Sequence, residues 1–159
     1  QIRGRDLTPE ERIRLYCESL RLLNKNLEWL LKSYKKVKDI DLTKSDVKEE
    51  DLEALEALSN RFSRTIDMLI NKVLRGLDLI ELEDINTKLD IVIRAEKRGF
   101  VEDYKLLIEM KDLRNELSHE YIQENLIEKL KEVLNKTPVL ADIVFKVNDY
   151  SVKKGYCTN

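Results

Sequence analysis

Apolar side chains recur every three or four positions along most of this chain, and little interrupts them: 159 residues contain four glycines and two prolines. At about 100° per residue such spacing gathers side chains on one face of a helix, whereas a half-buried strand needs strict alternation. The pattern predicts an all-α protein with sheet content near zero. Its length suits one domain, spanning 1–159, with a single core. A 42% apolar share is enough to fill that core, and the 38% of charged residues cover the outer faces of long helices.

Helix punctuation divides the chain into about five segments. Thr8-Pro9-Glu10-Glu11 is a strong start, with Thr8 as cap, Pro9 at the first helical position and Glu11 completing a capping box. Ile13, Tyr16, Leu20, Leu23, Leu27, Leu30, Leu31 and Tyr34 then form one apolar face. After a polar connection from Asp39 to Asp46, a second helix carries the period from Leu52 to about Gly76. A third runs from Leu82 to Asp84 onward and stops at Lys97-Arg98-Gly99, where basic residues and a glycine suit a helix end. The fourth spans Val101 to Ser118 with Leu106, Met110, Leu113 and Leu117 inward, and the fifth starts near Glu124. Thr137-Pro138 is expected to kink or split that last helix, because proline lacks a backbone donor and clashes with the preceding turn. Short connections between such helices make an up-and-down antiparallel bundle the natural architecture.

Charge and cysteine content narrow the function classes. A net charge of −2 gives no overall positive field, so any nucleic-acid contact must come from a local patch. No apolar run reaches the length of a membrane span, so no membrane is expected. Cys17 and Cys157 lie far apart, without a CxxC or a secretory signal, and the expectation is reduced thiols in a cytoplasmic protein. The sequence has no phosphate-cradling glycine loop and no GxSxG elbow.

Chemistry concentrates around the single histidine, in Arg114-Asn115-Glu116-Leu117-Ser118-His119-Glu120-Tyr121. An imidazole moves protons near neutral pH, and an arginine fork holds a phosphate or a developing oxyanion. On one straight helix Arg114 and His119 diverge by about 140°, while Tyr121 falls near the apolar stripe of Met110 and Leu117. Convergence therefore requires a helix end near Ser118, or two copies of the motif facing across a twofold axis, and a homodimer is expected. Glu116-x-x-His119 is also the pair used by di-metal carboxylate bundles. With one histidine per chain and Glu116 on the polar side, metal binding is not expected.

The octet Arg114-Asn115-x-x-x-His119-x-Tyr121 resembles the RNxxxHxY signature of HepT-like proteins, a branch of the HEPN superfamily. Asn60 to Asp67 and Arg94 to Phe100 are similar, in order and spacing, to segments upstream of that signature, so the likeness covers about 58–126. The resemblance implies a HEPN-like α-helical dimer that acts as a toxin: a metal-independent endoribonuclease, with no cofactor, controlled by an MNT-type nucleotidyltransferase antitoxin. It assigns catalysis to Arg114 and His119, a supporting role toward the phosphate to Asn115, and AMPylation by the partner to Tyr121. The alternative is a non-catalytic helical module that binds substrate for, or regulates, a nucleotidyltransferase. Arg61, Arg64 and Asp67 read as an ion-paired helix face or dimer contact.

Overall fold

The structure, a computed structural model, describes residues 6–43, 46–81, 83, 87–118 and 125–157. It is an all-α bundle: α1 (Pro9–Val37), α2 (Glu49–Met68), a π-helical segment (Leu69–Leu74), α3 (Arg75–Ile80), α4 (Lys88–Lys97), α5 (Lys105–Leu117) and α6 (Leu126–Lys153). Because α2, the π segment and α3 follow without a break, the described residues make five helical rods. Among the described residues no helix is long and apolar enough to cross a membrane.

The Thr8 capping box forms as its sequence requires: Thr8 Oγ1 accepts from the Glu11 amide at 3.2 Å and Glu11 accepts from the Thr8 amide at 2.9 Å. Glu11 is thereby held below the usual carboxylate range, chiefly by the backbone hydrogen bond from Thr8. Gly99 ends α4 at φ +87°, with Phe100 N–H donating to Ala95 O and Gly99 N–H to Glu96 O. That backbone is open to glycine at no steric cost.

The second rod runs past Gly76, and its sequence shows why it widens. Buried neighbours recur every four residues, as Thr65/Ile66, Leu69/Ile70, Val73/Leu74 and Leu77/Asp78. On a regular α-helix each such step rotates the pair by about 40° away from the core. The wider turns at Leu69–Leu74 take up that drift and keep all four pairs inward. At Gly76 a Cβ would lie 3.4 Å from Tyr16 Cδ1, so glycine lets α3 close onto α1.

Two expectations are corrected here. Proline does not split the last helix: α6 passes through Pro138 unbroken, with Val133, Thr137, Leu140 and Val144 burying both halves on the same core. Nor are the cysteines reduced: Cys17 on α1 and Cys157 beyond α6 are joined as a disulfide. Packing of α1 against α6 brings Cys17 and the turn after α6 together, a proximity that sequence separation conceals. The same contact buries Tyr16, whose hydroxyl shares a 2.6 Å hydrogen bond with Ser151 Oγ and whose pKa burial pushes up to about 12.

Smaller differences concern boundaries. The fourth helix starts at Lys105 rather than Val101, since Val101 to Tyr104 form a turn in which Tyr104 N–H donates to Glu96 Oε1 at 2.9 Å. Lys88, not the Leu82 to Asp84 stretch, begins α4, behind a Thr87/Asp90 capping box. Leu82, Asp84 and the expected fifth-helix start at Glu124 lie outside the described residues, and α6 begins at Leu126.

Candidate functional site at the end of α5

Helix α5 ends where the histidine octet needs it to end. Leu117 is its last residue, and Ser118 closes it by donating from Oγ to Asn115 O at 2.6 Å and from its amide to the same oxygen at 3.3 Å. His119 and Tyr121 themselves lie outside the described residues.

Arg114 sits in the last turn of α5, on the side facing α2. Its Nε donates to Asp67 Oδ2 at 2.9 Å, across 47 residues of sequence. Both side chains keep about a third of their surface open, 35% for Arg114 and 36% for Asp67. A guanidinium held through Nε still has its two terminal NH₂ groups, the pair that chelates a phosphate. Asp67 thus fixes the fork without occupying it. Asn115 is exposed beside it, its carbonyl spent on the Ser118 cap.

The remaining acidic and basic residues are sorted by their partners. Glu116 pairs with Lys129 at the start of α6, which ties the two helices. Among the described residues no group of three His, Cys, Asp or Glu side chains could hold a metal ion. Arg61 donates from Nη1 to Trp29 O at 2.9 Å and Ser33 Oγ at 2.8 Å, so it clasps α2 to α1. Arg64 is exposed on α2.

Two residues near the site, Lys88 and Lys111, were not singled out by sequence, and Asp67 was named without its partner. Asp67 was grouped with a helix face, and no sequence signal links it to Arg114. Lys111 precedes Arg114 by three positions, an i, i+3 spacing that shares a helix face and that the periodicity alone could have revealed. Lys88, arriving from α4, could be found from the fold alone. No family model matches this chain, and no curated protein or solved structure is found similar to it.

Proposed function

We propose that this protein is the toxin of a HEPN/MNT-type toxin–antitoxin pair, a metal-independent endoribonuclease of HepT-like character. What supports the reading is the RNxxxHxY octet together with the end of α5 near Ser118, one of the two arrangements that convergence of Arg114 and His119 on one phosphodiester requires. The ribose 2′-hydroxyl attacks the adjacent phosphorus as the 5′-oxygen leaves. His119 takes or gives the proton, and the Arg114 fork, oriented by Asp67, stabilises the phosphorane oxygens. The products are a 2′,3′-cyclic phosphate and a 5′-hydroxyl. Asn115 orients the phosphate.

A homodimer brings a second octet to the same groove, and AMPylation of Tyr121 by the nucleotidyltransferase antitoxin places bulk and negative charge two residues from His119, competing with RNA for Arg114. The setting is cytoplasmic, where RNA is available. A Cys17–Cys157 bond persists there in heat-adapted cells and is reduced in most others.

One observation favours a second reading. The Asp67–Arg114 pair also clasps α2 to α5, as a docking module without catalysis would use it. Cleavage of bulk RNA in excess EDTA separates the two. Native protein is expected to release cyclic-phosphate ends, and folded Arg114→Ala and His119→Ala variants to release none. Equal inactivity of all three, with native mass free of AMP, would leave the docking module.

A further inference from the structure

Helix α1 carries two apolar faces, and the core uses one of them. Tyr16, Leu20, Leu23, Leu30 and Val37 are buried against the bundle. Leu15, Leu22 and Trp29 recur every seven residues instead, and they stand 49%, 39% and 40% exposed. Leu15 borders the grooves on both sides of α1, one toward α6 and one toward the π segment and α3, so it stands on the crest between them. A seven-residue period turns by only about 20° per repeat, and the three side chains therefore make one stripe about 21 Å long. Single exposed leucines are ordinary on a surface, whereas three apolar side chains in heptad register make a seam that a partner helix covers.

The flanks of the stripe select the partner. At about 100° per residue, Arg14, Glu18, Lys25 and Glu28 fall on one flank, all exposed, and the uncharged Ser19 and Asn26 fall on the other. We infer that the stripe is a contact with a second copy of this chain, whose α1 packs on it antiparallel about a twofold axis beside Leu22. Such an axis lays each flank on itself, end for end. Leu22 then meets Leu22 of the second copy, Leu15 meets its Trp29, and Glu18 comes level with its Lys25. Farther out, Arg14 falls within about 3 Å of the height of the second copy's Glu28. Both charged pairs are opposite in sign, and the twofold axis makes each of them twice. A parallel pairing would set the charged flank against Ser19 and Asn26 and gain neither. Arg21, next to the axis, is already held by Glu18 at 2.7 Å. Lys25 and Lys32 reach Glu28 within the helix at 3.7 and 3.8 Å, and such exposed pairs rearrange at small cost. The stripe lies on a different rod from the octet, so the inference does not depend on the ribonuclease reading.

The test is sedimentation velocity across protein concentration. A single helix pair gives a smaller contact than the roughly 800 Å² per partner of a standard interface, so the native mass is expected to double between about 1 and about 200 µM. Leu22→Glu should remove the doubling and, because the site is exposed, leave the urea midpoint at low concentration unchanged. Glu18→Lys and Lys25→Glu should each weaken association about tenfold, since like charges then face each other twice. Combining the two reversals restores opposite signs across the axis and should return the dissociation constant to within about threefold of native. A native mass constant over that range would overturn the inference and leave the stripe to another partner. Doubling that survives Leu22→Glu would assign the oligomer to another face, and reversals whose effects simply add in the double variant would rule out the antiparallel pairing.

Discussion

Helix α4 carries charge at both ends, and the two ends are built on opposite principles. At its C-terminal end Arg94 and Arg98 converge on the fully buried Asp78, with Nη1 to carboxylate distances of 3.1 and 2.7 Å. Arg98 continues to Glu81 at 2.9 Å, and Glu81 also accepts from the hydroxyls of Tyr150 and Tyr156 at 2.8 and 2.9 Å. At its N-terminal end Lys88 shares a small apolar-walled pocket with Lys111 of α5, and Arg114, three residues further along α5, is held by Asp67 at 2.9 Å. Charges in the first cluster are matched and hydrogen-bonded, as burial demands. Those in the second are in cationic excess and partly open. The matched cluster is scaffold. The second leaves the terminal NH₂ groups of Arg114 open.

The pKa shifts follow the same division. Burial raises Asp78 more than Arg98 and Arg94 lower it, so its carboxyl stands above the ordinary range. Burial pushes Glu81 the same way, but the hydrogen bonds from Tyr150, Tyr156 and Arg98 outweigh it and leave Glu81 below. Tyr156 is driven to about 12 by burial and by its bond to Glu81.

The contrast can be broken at several points. Asp78→Ala should have the largest effect, a loss of about 3 kcal/mol in urea unfolding, because Arg94 and Arg98 lose the buried carboxylate they share and keep only the more exposed Glu83 and Glu81. Asp67→Asn should do the opposite kind of damage. Its half-open pair is worth under about 1 kcal/mol of stability, yet loosening the Arg114 fork should cut the RNA-cleavage rate about tenfold to a hundredfold. Glu81→Gln should cost about 2 kcal/mol at neutral pH, since hydrogen bonds to a charged acceptor are the strong ones. A depressed folded pKa contributes stability above the ordinary carboxylate range and loses it as pH falls through the folded value. The gap between native protein and Glu81→Gln should therefore close on acidification; a gap that widens would contradict the Glu81 assignment. Thr87→Ala, which removes the α4 cap, should have the smallest effect, about 1 kcal/mol.

The two clusters also differ in how far the sequence discloses them. Arg114, Asn115, His119 and Tyr121 stand out because the octet is local, and the helical period places α1, α5 and most of the core without further help. Gly99 and the Thr8 box are local signals and are read correctly. Thr87-x-x-Asp90 is an equally local capping box, and recognising it would have started α4 at Lys88. The even four-residue recurrence of buried pairs from Thr65 to Asp78 could likewise have revealed the π segment. By contrast Asp67–Arg114, Asp78–Arg98, Glu81–Tyr156 and Cys17–Cys157 are contacts between distant segments, and nothing in composition or spacing selects one partner from the many carboxylates, cations and turns available. Pro138 misleads for a related reason: the rule for its local cost is sound, but burial on both sides of it supplies more than that cost.

The most direct measurement compares Arg114→Gln with Arg98→Gln, recording cyclic-phosphate release and unfolding free energy on the same preparations. Arg114→Gln should stay within about 1 kcal/mol of native stability and lose cleavage, whereas Arg98→Gln should lose about 3 kcal/mol or more and, where still folded, cleave RNA. Cleavage by Arg114→Gln at the native rate would contradict the account at its centre.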